Sequence, residues 1–138
     1  MSNEVIETRT ARIWLGEDGI IRVSLIGVKS EGVAIARENW EALSQTSQGK
    51  IRPVFADIRN VKSVGAEERR FYARIETKDL INAVAFLVDS PLSRVIGSFF
   101  LGFNRLPIPI KIFTSEEQAL EWLKGFLEEE KGNEKRYG

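Results

Sequence analysis

Three carboxylates stand where this chain has the means to do chemistry: Asp57 near the close of the apolar run 53–58, Asp89 at the close of 83–89, and Glu68 on the apolar side of a helical stretch between them. A carboxyl on an apolar helix face is desolvated, which raises its pKa and suits it to acid or base work. The competing assignment puts Glu68 in an exposed first turn, capping backbone amides. Together the three would offer oxygens to a hard cation, but such an ion takes about six ligands, and no spacing here specifies them. We therefore assign no metal and no cofactor. The 138 residues include no His and no Cys, so the commonest general base, thiolate nucleophiles and disulfides are excluded. Ser90 and Ser93 have no His to activate them, and Gly97 and Gly102 lie within a helical pattern rather than in a phosphate loop. The expectation is a protein that is not an enzyme.

What positions these residues is a repeated unit of apolar run, polar stop and helix start. The runs 53–58, 83–89 and 109–114 predict strands, and each precedes a segment of helical period. Strands alternating with helices imply a mainly parallel sheet, which binds its ligands beyond the carboxyl ends of its strands. Asp57, Asp89 and Thr114 are thus expected on a common rim. Ahead of them, residues 8–26 read as a β-hairpin: Ala11, Ile13 and Leu15 alternate with Arg12 and Trp14, and Ile21, Val23 and Leu25 with Arg22 and Ser24. Glu17-Asp18-Gly19 supplies its turn.

Val33, Ala36, Trp40 and Leu43 recur at helical spacing over residues 31–45, with Ser30 as N-cap, and Gln48-Gly49-Lys50 ends that helix. A second helix is predicted from Ala66. A third opens at Ser90-Pro91, where Asp89 or Ser90 is the N-cap, and carries Leu92, Val95, Ile96, Phe99 and Phe103 on one stripe. The last helix starts at Ser115, which forms a capping box with Gln118, and buries Ala119, Leu123, Phe126 and Leu127. The predicted order is β-β-α-β-α-β-α-β-α in one domain over residues 8–127, flanked by a flexible N-terminus (1–7) and a charged flexible tail (128–138).

Twenty basic and twenty acidic residues cancel. Nucleic acid is not the expected partner, because duplex affinity rests on cations that neutralise phosphates. No apolar run approaches the roughly 18 residues of a membrane span, and Met1-Ser2-Asn3-Glu4 lacks a basic, then apolar, leader. The expectation is cytoplasmic.

The segments Pro53-Val54-Phe55-Ala56-Asp57-Ile58-Arg59-Asn60-Val61 and Pro109 to Leu123 resemble the STAS-like domains (sulfate transporter and anti-sigma-factor antagonist), in particular their SpoIIAA-like, STAS/SEC14-like bacterial branch. The resemblance covers residues 8–127 and implies an α/β fold of that type, a mixed, mostly parallel sheet with an N-terminal hairpin. It also implies a regulatory, protein-interaction role without catalysis. In anti-sigma-factor antagonists a kinase modifies a Ser at the start of the helix after the first of these strands. The matching position here is Glu67, a fixed negative charge that no kinase can switch. It serves either as a permanently phosphate-like surface or as plain helix-end stabilisation. Ser63 stands just upstream as a further acceptor candidate.

Two surfaces follow. One is an interaction edge of Asp57, Asn60, Ser63, Glu67, Glu68 and Asp89 for a protein partner. The other is the apolar stretch with Phe99, Phe100, Leu101, Phe103 and Leu106, of which a helix face absorbs only Phe99 and Phe103. The remainder is a homodimer contact, a lid over a lipid or small apolar ligand, a wedge into a membrane surface, or scattered apolar residues of no consequence.

Overall fold

The computed structural model describes residues 4–26, 33–61, 80–89 and 108–137. Within them the chain forms β1 (Ile6–Glu7), β2 (Ala11–Leu15), β3 (Ile21–Leu25), α1 (Val33–Ser47), β4 (Arg52–Asp57), β5 (Ile81–Leu87), β6 (Ile110–Phe113) and α2 (Glu116–Tyr137). The strands lie in one mixed sheet in the order β1-β2-β3-β4-β5-β6. β1, β2 and β3 are joined antiparallel, and β3 through β6 run parallel. The α/β class, the hairpin and the three parallel strands agree with the sequence reading. The helices expected from Ala66 and from Ser90 fall outside the described residues.

The hairpin register pairs Ala11 with Leu25, Ile13 with Val23 and Leu15 with Ile21, so these apolar residues share one face. α1 packs over β2 and β3 on that face, where Ala42 and Leu43 are buried and Trp40 is half-buried. The other face belongs to α2, which crosses β4, β5 and β6. There Ala83 and Ala85 leave room for Ala119 and Leu123, all four without exposed surface. β4 and β5 are thus covered on both sides: Val54, Ala56, Val84 and Phe86 face one core, and Phe55, Ala83, Ala85 and Leu87 the other. Burial on both faces is why these strands read as continuous apolar runs rather than alternating ones.

Two local features depart from the sequence reading. β1 lies inside the stretch 1–7, expected to be a flexible terminus. Two residues are too short to show a period, but Ile6 pairs with Ile13, and the Glu7 carboxylate meets Arg12 at 3.2 Å. At the other end the helical backbone of α2 continues past Leu127, the last residue of the predicted domain, to Tyr137. Glu and Lys are good helix formers without any apolar stripe, so the loss of the apolar period does not end the helix.

Pro53 introduces an irregularity in the sheet. Its ring removes a ladder donor, and the register steps from Arg52 opposite Ile81 to Pro53 opposite Ala83. Asn82 is the bulged residue, and its Oδ1 is buried without a hydrogen-bond partner.

Candidate functional site

The carboxyl ends of the parallel strands are level. Ser24 pairs with Asp57, Asp57 with Leu87, and Leu87 with Phe113, so one row crosses the sheet from β3 to β6. The chain beyond that row brings three segments to one rim: 57–60 after β4, Asp89 after β5, and 114–116 after β6. Parallel strands in register guarantee this convergence, and it is the placement the sequence predicts for Asp57, Asp89 and Thr114.

Asp57 is the last residue of β4, and its side chain retains only 19% exposure. Its Oδ1 accepts the backbone N–H of Arg59 at 3.1 Å, fixing the turn that follows. Ile58 and Val61 are buried on either side of this turn, and the Val61 N–H reaches the Ile58 carbonyl at 3.2 Å, which leaves Arg59 and Asn60 exposed at its tip. The Arg59 guanidinium folds back onto Asp57 in a two-pronged pair, Nε to Oδ1 at 2.9 Å and Nη2 to Oδ2 at 2.8 Å.

Burial pushes the Asp57 carboxyl up, but the hydrogen bonds from Arg59 and its charge outweigh that and hold it below the usual 3.8. The Arg59 guanidinium is raised in turn, first by its hydrogen bond to Asp57, then by the charge of Asp57, with further contributions from Asp89 and Glu116. One cation thus senses three carboxylates from three separate turns. Asp89 and Glu116 are themselves exposed.

Glu116 is held there by the start of α2. The Ser115 hydroxyl accepts the Gln118 N–H at 3.2 Å, the N-cap expected from sequence, and the Ser115 carbonyl accepts the Ala119 N–H at 3.0 Å. Glu116 and Glu117 occupy the first turn, where the helix dipole favours acids.

Of the interaction edge expected from sequence, Asp57, Asn60 and Asp89 share this rim. Ser63, Glu67 and Glu68 lie outside the described residues, as do Phe99, Phe100, Leu101, Phe103 and Leu106 of the apolar surface. Arg59 and Glu116 were missed. The signal for Arg59 was its place two residues after a strand-ending Asp, a spacing that lets a side chain fold back on the turn. Both Asp57 oxygens are engaged by Arg59, and among the described residues no group of three or more acidic side chains is arranged to hold a metal ion. No helix among them is long and apolar enough to cross a membrane.

The family described as Domain of unknown function (DUF7793) matches residues 13–127, which begins within β2 and takes in β3, the parallel strands and α2 as far as Leu127. A protein of unknown function from Arthrobacter sp. FB24, with a crystal structure at 2.20 Å resolution, is 31% identical over 80% of this chain and 96% of its own, with a TM-score of 0.31. Comparison with curated proteins returns no match. The chain belongs to the DUF7793 family.

Proposed function

We propose that this member of the family is a non-catalytic interaction module, regulatory in the manner of the STAS-like domains it resembles. It binds a protein partner across the carboxyl rim of its parallel strands. The observation that carries the reading is the convergence of Asp57, Arg59, Asp89 and Glu116 from three turns that the sheet register holds level. Among the described residues of the rim, three acids face one cation, and that cation is already paired with Asp57. The exposed carboxylates of Asp89 and Glu116 therefore select a partner that presents basic side chains. The sequence also favours recognition over reaction, having no His and no Cys to supply a neutral-pH base or a thiolate.

Quantitative capture from a native lysate tests this. Wild type is compared with the rim variant Asp89→Arg/Glu116→Arg and with Glu17→Arg, a charge reversal at the opposite end of the sheet. We expect at least one protein to be retained by wild type and Glu17→Arg and lost from the rim variant. Equal recovery of every protein by all three chains would remove the rim as the recognition surface.

A further inference from the structure

Among the described residues β6 is the last strand of the sheet, and its outer side carries the backbone groups for a further pairing. Val84 donates its N–H to the Pro109 carbonyl at 3.0 Å, and Val88 donates to the Phe113 carbonyl at 2.9 Å, so the carbonyls of Pro109 and Phe113 face β5. Backbone direction alternates along a strand. The N–H and C=O groups of Ile110 and Ile112 therefore point away from the sheet. No proline interrupts Ile110–Phe113, and its one charge is Lys111.

A lysine usually guards such an edge by projecting its charge outward. Here the Lys111 ammonium sits over aromatic faces instead, 5.5 Å from the Phe113 centroid and 5.8 Å from that of Trp122. Apolar surface flanks the edge on both sides. Ile110 and Ile112 are half-buried against one core. On the other side Phe113, Trp122 and Phe126 form a half-buried aromatic row, with centroids 5.8 and 5.0 Å apart.

We propose that β6 pairs antiparallel with β6 of a second copy of this chain, about a twofold axis at Ile112. The exposed backbone groups dictate the centre, since Ile112 exchanges both hydrogen bonds with Ile112 of the second copy. Lys111 then lies directly across from Phe113 of the second copy in a close, non-hydrogen-bonded pair, with Cα atoms about 4.5 Å apart. The cation–π contact already made within one chain is repeated across the axis, twice by symmetry. Charge selects this register over its neighbour, because an axis at Lys111 would oppose two ammonium groups. A net charge of zero leaves no long-range repulsion between copies. Pairing also covers both apolar flanks at once, which a partner docking on a single face would not do.

Sedimentation equilibrium of the full chain through the micromolar range tests the association, and disulfide trapping tests the register. The chain has no cysteine of its own, so Lys111→Cys and Phe113→Cys each carry one thiol. We expect a reversible dimer, and Lys111→Glu, which sets a carboxylate against the rings, should weaken it about two- to fivefold. Under mild oxidation, an equimolar mixture of the two Cys variants should cross-link well beyond either alone. A wild-type chain that stays monomeric throughout the range would overturn the proposal. So would a dimer in which the mixture cross-links no better than the single variants.

Discussion

At the amino ends of β3 and β4, Arg52 ties two turns together, its Nε donating to the Ser47 carbonyl at 2.9 Å and its Nη1 to the Gly19 carbonyl at 3.3 Å. At the carboxyl ends Arg59 is also paired, but within its own turn, and the neighbouring Asp89 and Glu116 remain exposed. The amino end is further closed by Asp18, which accepts both the Ile20 N–H and a two-pronged contact from Arg22. Gly19 adopts a φ of 89°, and a Cβ there would come within 3.3 Å of Leu127. One end spends its polar groups on joining elements, the other on displaying charge. The difference teaches where substitutions should cost stability and where they should cost recognition.

The largest effect is expected from breaking the tie. Arg52→Ala leaves the Ser47 and Gly19 carbonyls without that donor, and a lost charged hydrogen bond in a part-buried site costs about 1 to 3 kcal/mol. Urea denaturation should show this as a lower midpoint with an unchanged slope. A midpoint that does not move would mean the amino end is no more closed than the carboxyl rim.

An acid titration sharpens the contrast. Asp57 and Asp18 both have carboxyls held below 3.8: burial raises each, and hydrogen bonds and charge from Arg59 or Arg22 more than reverse it. A carboxyl lowered by folding contributes stability above its unfolded value and loses it as pH falls through the folded one. Each contribution is therefore intact at neutral pH and fades below 3.8. Unfolding of wild type, Asp57→Asn and Asp18→Asn from about pH 6 to about pH 2 measures it. The gap between wild type and each variant should narrow toward the acid limit. A gap that stays constant with pH would show that neither ion pair is linked to folding.

The sheet was legible because its signals are local and repeated. Short apolar runs such as 83–89, each followed by a segment of helical period, read as strands buried on both faces, and the parallel ladder carries Asp57 and Asp89 to one rim. Trp40 and Leu43 on α1, and Ala119 and Leu123 on α2, were equally readable from helical period. β1 was not, because Ile6 and Glu7 acquire strand geometry only from β2 beside them. Nor was the continuation of α2 to Tyr137, where the sequence carries no apolar period. At the rim, sequence placed the backbone ends but not the whole partnership. The Arg59–Asp57 contact is local and its spacing was there to be read, but that Glu116 from a turn far along the chain joins its field depends on tertiary placement that no spacing encodes.

The smallest effect concerns the two ion pairs themselves. Double-mutant cycles on Asp57/Arg59 and on Asp18/Arg22 compare pairs of the same chemistry at opposite ends. Each is two-pronged, with bonds of 2.9 and 2.8 Å in the first and 2.6 and 3.1 Å in the second. Their solvation differs: the arginine is 46% exposed at the rim and 18% exposed at the hairpin turn. Water and salt screen the first more, so its coupling should fall within about 0 to 1 kcal/mol and shrink with added salt. The Asp18/Arg22 coupling should be larger and change less, because Arg22 also donates to the Ile20 carbonyl at 3.0 Å and is held in place for the contact. Equal couplings with equal salt dependence would mean that the two ends differ in exposure but not in electrostatic strength. The rim would then owe any selectivity to Asp89 and Glu116 alone.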